Sequence, residues 1–305
     1  MLNTRFAPLD PEQAPLAAQL PCLGFQVDQL YVYIYADRAA LGQAAAAALA
    51  SEFRRAATET ESLSVIFAAA PSQDETLAAL VEDPTVPWAA VRFAGQMDEY
   101  LELPADDSRS FRYYHNTHLW GLLLAKGRAL DPAAIQPLRG DSPPADAEAA
   151  RYAELLRRFP PQIVQGGIGE VNAHLAFNDP PAARFDDPEL VKVIEVAPAA
   201  KQQQVNEGHF ARVEEIPRAL TLTVPALTRF SPAPGREHTV SYWSCVAPGA
   251  AKASAVAKLL LGEITEQTPG SILRTLPHAA LFLDVPAAAE LQGTAVDLSS
   301  LGWTP

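Results

Sequence analysis

From residue 30 the chain alternates, with Leu30, Val32 and Ile34 aliphatic and Tyr31, Tyr33 and Tyr35 aromatic with a polar tip. A period of two puts the two sets on opposite faces of a β-strand. Asp37 then stands where a helix N-cap belongs, and the alanine-rich run 38–58 has high intrinsic helix propensity. The apolar run 64–70 (S-V-I-F-A-A-A) is short and unbroken, as in a parallel strand buried on both faces, and 74–81 follows as a helix. The same punctuation predicts strands over 89–94, 163–165, 191–196, 220–224, 239–246 and 280–284, and helices over 110–126, 146–158 and 251–261. Strands alternating with helices predict an α/β fold of three layers, a mainly parallel sheet with helices on both faces and right-handed crossovers. Residues 1–26, proline-rich and aperiodic, read as an N-terminal extension, and 27–305 as a single α/β domain.

Composition narrows the function. With 36 Asp and Glu against 23 Lys and Arg the net charge is −13, which excludes a non-specific nucleic-acid binder, since phosphate contacts need clustered cations. At 49% hydrophobic and 19% charged the chain can bury a large core. The cysteines, Cys22 and Cys245, are distant and outside any C-x-x-C, so neither a disulfide scaffold nor a cysteine-rich zinc site is expected. The first residues, M-L-N-T-R-F-A-P-L-D, lack the pattern of a secretory signal, and apolar helices are interrupted by charge before the roughly 18 residues of a membrane span. The expectation is a cytoplasmic protein in a reducing compartment, with no membrane partner. The 27 prolines fall between elements without a repeat.

In parallel sheets ligands sit beyond the C-terminal ends of strands, and three such loops carry chemistry. Ala70-Pro71-Ser72-Gln73 leads from a buried strand into a helix, where backbone N–H groups and a hydroxyl suit an anion; Ser72 acting only as a helix cap is the competing reading. After strand 89–94 come adjacent carboxylates, Asp98 and Glu99. The glycine-rich stretch 166–180 supplies Asn172, His174 and Asp179 within a short span, and Gly167 and Gly169 permit close backbone approach. It departs from G-x-G-x-x-G at Asn172, which argues against a dinucleotide site. His115 and His118 are spaced i, i+3 but have no third metal ligand nearby and read as structural. Trp88, Trp120, Trp243 and Trp303 read as core or interface anchors, and His278 as packing. Ser72, Ser244 and Ser271 lack a nucleophile-elbow context.

Taken together, M-D-E-Y-L-E-L-P at 97–104, G-I-G-E-V-N-A-H-L-A-F-N-D-P-P at 167–181 and S-I-L-R-T-L-P at 271–277 resemble the glucosamine-6-phosphate deaminase (isomerase) family, in family order and spanning about 32–291. The resemblance implies a fold like that of ribose-5-phosphate isomerase and the coenzyme A transferases. It further implies conversion of glucosamine 6-phosphate to fructose 6-phosphate and ammonia in amino sugar catabolism, with no metal and no redox cofactor. The implied partner is a small-molecule sugar phosphate, and a homo-oligomer is left open. Asp98 aligns with the base that moves a proton between C2 and C1, His174 with the histidine of ring opening, and Asp179 with a carboxylate that orients it. Asn172 falls where members carry Asp or Asn, and Glu99 accompanies Asp98 as a catalytic candidate. Lys252 aligns with a phosphate-binding lysine, and Ala70, Pro71, Ser72 and Gln73 with the phosphate loop, to which Gly167 and Gly169 add substrate contacts. The loop reads A-A-P-S-Q where the family is rich in glycine and threonine, and G-E-V-N-A-H is one residue longer than the family stretch, with Val171 inserted. Ala173 stands where the family has glycine; a positive φ there would cost alanine about 1 kcal/mol. Glu207 and Gly208 stand nearest the family's phosphate-binding arginine. Two other readings stay open: a 6-phosphogluconolactonase-like hydrolase, and a catalytically impaired sugar-phosphate-binding protein.

Overall fold

The computed structural model describes residues 6–8, 23–60, 62–142 and 144–291. In chain order the elements are β1 (Phe6–Pro8), β2 (Leu23–Val27), β3 (Leu30–Tyr35), α1 (Arg38–Glu59), β4 (Leu63–Phe67), α2 (Asp74–Glu82), β5 (Val91–Gln96), β6 (Asp98–Tyr100), α3 (Phe111–His118), α4 (Trp120–Ala125), α5 (Ala145–Arg158) and β7 (Ile163–Gly166). They continue with β8 (Val191–Ile194), α6 (Pro198–Asn206), β9 (Ala219–Leu222), α7 (Val224–Leu227), β10 (Arg229–Ala233), β11 (Arg236–Thr239), β12 (Tyr242–Ala247), α8 (Ala253–Leu261) and β13 (Ala279–Asp284). Eight strands form one sheet in the order β1-β2-β3-β13-β12-β7-β4-β5. From β3 to β5 every neighbouring pair is parallel, and β2 and β1 add antiparallel at one edge.

Two apolar layers cover this sheet. Leu30, Val32 and Ile34 of β3 join one core with Trp243 and Cys245 of β12, Tyr152 and Leu156 of α5 and Val256 and Leu259 of α8. Tyr31, Tyr33 and Tyr35 face the other, with Phe282 of β13, Phe67 of β4, Leu49 and Phe53 of α1, and Leu77 and Leu80 of α2. The α/β three-layer fold follows directly from strands that are apolar on both faces. Asp37 caps α1, its carboxylate accepting the Ala40 N–H at 2.8 Å. The alanines of α1 then seat the helix close against the sheet.

The structure departs from the sequence pattern in four places. Residues 23–26 are part of the sheet rather than of an aperiodic extension: Leu23, Phe25 and Val27 are buried in alternation with half-buried Gly24 and Gln26. The rest of 1–22, apart from β1, lies outside the described residues. The helix expected over 110–126 breaks at Leu119, whose φ −139° and ψ −80° are not helical, separating α3 from α4. Strands β8 and β9 are real but do not join the large sheet; with β6 they make a separate antiparallel sheet in the order β6-β9-β8. The run 239–246 is divided, β11 pairing with β10 in a hairpin while β12 enters the large sheet. Among the described residues no helix is long and apolar enough to cross a membrane.

Candidate active site

Strands β12, β7, β4 and β5 are neighbours in the sheet, so the chain leaves their C-terminal ends side by side. After β4 it makes a 3-10 turn at Pro71–Gln73, after β5 it runs through Met97 into β6, after β7 it enters the glycine-rich stretch, and after β12 a second 3-10 turn at Ala250–Lys252 leads to α8. These four exits surround one cavity, at the place where parallel sheets bind small molecules. Ala70, Ser72 and Gln73 line it from the first loop, Asp98 from the second, Gly167, Gly169 and His174 from the third and Lys252 from the fourth.

Asp98 opens β6, whose backbone pairs with Thr221 of β9. Strand alternation turns its side chain to the cavity and that of Glu99 away. Burial, and then the charge of Glu99, push the Asp98 carboxyl well above the usual carboxylate range. Glu99 has a different occupation. Its carboxylate accepts from Ser110 Oγ at 2.8 Å, Arg112 N at 2.9 Å and Phe111 N at 3.1 Å, and pairs with Arg112 Nε at 3.2 Å. It thereby holds the first turn of α3, where unpaired N–H groups favour an anion. Glu99 therefore anchors a helix and does not line the cavity.

His174 lies on the cavity wall with its ring over Gly169. A Cβ at Gly169 would stand 1.8 Å from His174 Cδ2, so glycine is required there by the approach of the ring. His174 Nδ1 is 2.5 Å from the Ala176 carbonyl, which can only accept, so Nδ1 carries a proton, and in the neutral imidazole Nε2 is the acceptor. Nε2 has no hydrogen-bond partner among the described residues. Asn172 and Asp179 do not line the cavity; they support it. Asn172 Oδ1 accepts the His174 N–H at 3.1 Å and its Nδ2 donates to Asp179 Oδ1 at 2.9 Å. Asp179 Oδ2 stays 3.9 Å from His174 Nδ1, so the ring is oriented by the Ala176 carbonyl first and by Asp179 only at longer range. Ala173 and Ala176 have φ +57° and +50°, the left-handed region that costs alanine about 1 kcal/mol. The inserted Val171 is absorbed in the turn before them, 52% exposed, with its carbonyl accepting from Lys258 Nζ at 2.7 Å.

The first loop is held from behind. Tyr114 Oη donates to the Ala70 carbonyl at 2.8 Å, and the Arg38 guanidinium donates to the Pro71 carbonyl, so Pro71 faces away from the cavity it was expected to line. Gln73 is buried, donating to Ser72 Oγ at 2.6 Å and accepting from Gln165 Nε2. A Cβ at Gly167 would come within 2.8 Å of Gln73 Nε2 and of the Val246 carbonyl, so this glycine lets the first and third loops touch. Lys252 is 4% exposed, with Nζ 3.7 Å from Glu170 Oε1 and 4.0 Å from Glu207 Oε1. Burial lowers its pKa while Glu207 and Glu170 oppose that shift.

Three of these side chains escape the sequence reading: Gln203 and Gln204, which α6 presents to the cavity, and Glu170, which reaches Lys252 from the glycine-rich stretch. Polar runs in short helices carry no periodic signal, although Pro198 at the first turn of α6 is a helix-start mark. The other candidates have structural places. His115 donates from Nε2 to the Ala68 carbonyl at 3.1 Å and His118 stacks on Tyr114. No group of three or more His, Cys, Asp or Glu is arranged for a metal among the described residues. Trp88, Trp120 and Trp243 are buried, Ser271 Oγ accepts from Thr265 N at 2.9 Å, and His278 is exposed at the foot of β13 rather than packed. Trp303 lies outside the described residues.

No protein-family model matches the chain. A glucosamine-6-phosphate deaminase of Streptococcus sanguinis (strain SK36) is 30% identical over 197 residues, 64% of this chain and 74% of that protein. Another, of Geobacillus sp. (strain WCH70), is 30% identical over 194 residues, covering 63% and 68%. Among solved structures, a monomeric glucosamine-6-phosphate deaminase has a TM-score of 0.73 at 23% identity, covering 85% of this chain and 99% of that one. The 6-phosphogluconolactonase of Trypanosoma brucei has a TM-score of 0.65 at 17% identity over 85% and 98%. Those two likenesses carry the fold, and the sequence relatives carry the family. The chain belongs to the glucosamine-6-phosphate deaminases, a family of enzymes.

Proposed function

We propose that this protein catalyses the isomerising deamination of an amino sugar 6-phosphate, glucosamine 6-phosphate and water giving fructose 6-phosphate and ammonia. The observation that carries the reading is the meeting of Asp98, the unpartnered Nε2 of His174 and the Lys252 ammonium in one cavity at the strand ends. His174 Nε2 takes the proton of the C1 hydroxyl and gives it to the ring oxygen as the bond between C1 and that oxygen breaks. Asp98 then removes the C2 proton of the open-chain aldehyde and returns it to C1, while a proton of the C2 amino group passes to the C1 oxygen, leaving a C2 imine that water hydrolyses to the ketone and ammonia. A carboxyl whose pKa burial has raised suits that task, because it is a stronger base when ionised. Lys252 and the Ala70–Gln73 loop take the phosphate. Asn172 and Asp179 act through His174 and are positioning residues. No residue in this scheme needs a metal or a redox cofactor.

The deciding experiment incubates the purified protein with glucosamine 6-phosphate and assays ammonia and fructose 6-phosphate together. Equal amounts of both establish the activity. Hydrolysis of 6-phosphogluconolactone without either product assigns a lactonase, and binding of the sugar phosphate without turnover assigns a binding protein.

A further inference from the structure

Among the described residues that line the cavity, Lys252 is the one formal cation, and it faces carboxylates. Glu170 Oε1 and Glu207 Oε1 stand 3.7 and 4.0 Å from its Nζ, and Asp98 lines the same cavity. Elsewhere in this molecule ion pairs that hold the fold are short: Arg274 Nη2 is 2.5 Å from Asp28, and Lys192 Nζ 2.7 Å from Asp187. The contacts of Lys252 are an ångström or more longer, although it is about as buried as they are. That geometry attracts the ammonium without committing its N–H donors to saturated hydrogen bonds.

Glu207 is itself held in place. Gln203 Nε2 donates to Glu207 Oε1 at 2.8 Å, while Gln203 Oε1 accepts the Glu170 backbone N–H at 3.1 Å, so one amide that lines the cavity holds the Glu207 carboxylate and the Glu170 backbone together. The other oxygen, Glu207 Oε2, is buried without a hydrogen-bond partner among the described residues, as is Gln204 Oε1 beside it. Buried acceptors without donors cost free energy and are not a resting arrangement that serves stability. This end of the cavity is rich in acceptors and offers a ligand's anion a cation already shared with two acids.

Building on the proposed reaction, we propose that Glu207 is a specificity-determining residue of this site: fixed by Gln203, it competes with the anionic end of the ligand for the Lys252 ammonium and so sets how strongly a phosphate is preferred over an uncharged group. A phosphate enters by taking Nζ from the carboxylates, and the repulsion between phosphate and Glu207 is subtracted from its affinity. The uncharged part of the sugar, bound nearer Asp98 and His174, is indifferent to that exchange.

The test measures the Kd of inorganic phosphate by calorimetry and the KM of glucosamine 6-phosphate for the wild type, Glu207→Gln, Glu207→Ala, and Glu214→Gln as an exposed control of the same net charge. Both Glu207 variants should tighten phosphate on the order of tenfold, with the change in the sugar phosphate falling on KM. Glu214→Gln should stay within about twofold of wild type, as expected for a screened surface charge. In a Lys252→Met background Glu207→Gln should have a smaller effect, because the competition for the ammonium is gone and only the direct repulsion between Glu207 and phosphate remains. Phosphate bound no more tightly by folded Glu207→Gln and Glu207→Ala, or by no form at all, overturns the role. If phosphate tightens but no form produces ammonia, the reaction fails and the role of Glu207 stands. If ammonia is produced with KM and phosphate Kd unchanged, the reaction stands and the role fails.

Discussion

At Asp98 and Glu99 two adjacent carboxylates receive opposite surroundings, because a strand sends successive side chains to opposite faces. Glu99 is given donors from the first turn of α3, whereas Asp98 is buried at the cavity and raised in pKa by that burial and by Glu99. A carboxyl raised in the folded state binds its proton more tightly there than in the unfolded chain. Its contribution to stability is therefore complete below the unfolded carboxylate range and is lost as pH rises through the raised value. Asp98→Asn should abolish turnover, on the order of 100-fold or more, yet unfold at a higher temperature than wild type near neutral pH. The gain should shrink as pH falls toward about 4. Thermal unfolding of the two proteins across pH checks this, and a variant less stable than wild type at neutral pH contradicts it. Gly169 is the second case where one residue decides. A methyl group there would displace the His174 ring, so Gly169→Ala and His174→Ala should each lower kcat/KM on the order of 100-fold. The double variant should be little worse than either, since both remove the same imidazole. Effects that multiply would show that Gly169 serves something other than room for the ring.

Arg274 shows what one of the recognised segments does at the level of elements. In S-I-L-R-T-L-P its guanidinium is 1% exposed, donating from Nε and Nη2 to Asp28 in the β2–β3 turn and from Nη1 to the carbonyls of Leu259 and Gly262 at the end of α8. It ties a hairpin to a helix and does not line the cavity. Arg274→Met should cost about 1–3 kcal/mol in denaturant unfolding, because the Leu259 and Gly262 carbonyls lose a charged donor and the partly exposed Asp28 loses its partner. Arg274→Met combined with Asp28→Ala should recover part of that; no recovery would place the cost in packing instead. Which elements could be read from sequence follows from the same physics. Strand β3 was legible because its two faces meet different layers, and β4 because it is apolar throughout. The division of 110–126 was not, since its residues suit one helix and the break depends on how Leu119 and Trp120 pack below the sheet. Strands β8 and β9 were legible as strands, but their sheet depends on β6, three residues long and hidden inside a motif read for its acids. Asp98 and His174 were singled out in their strand-end loops and Lys252 through the family resemblance, whereas Gln203 and Gln204 reach the cavity, and Glu170 reaches Lys252, only through tertiary placement. Pairing of acids with Lys252 across long sequence separations leaves no local mark.

For the whole molecule the governing quantity is the net charge of −13, carried by a chain whose proposed ligand is a dianion. At long range the protein repels that ligand, and close to the site Lys252 attracts it while Glu170 and Glu207 weaken the attraction. These two scales respond to salt differently. The Debye length is about 30 Å at 0.01 M and about 10 Å at 0.1 M, so added salt removes the global repulsion first and reaches the buried Lys252 last. For an enzyme with a positive entrance, salt would slow capture of a sugar phosphate throughout. Here kcat/KM for glucosamine 6-phosphate should rise between about 0.01 and 0.1 M ionic strength before falling. An unphosphorylated amino sugar, cationic at its nitrogen, should show the opposite slope at low salt. The same arrangement predicts that the 6-phosphate raises the melting temperature more than glucosamine does, by up to several degrees, since ligand at about 100 times its Kd adds roughly 2.7 kcal/mol. Lys252→Ala should remove most of that difference while leaving the rise of kcat/KM with salt in place, because the long-range field belongs to the whole surface. A kcat/KM that falls monotonically from the lowest salt, in wild type and variant alike, would mean that the ligand meets a local positive field outside the cavity and that the net charge does not govern its approach.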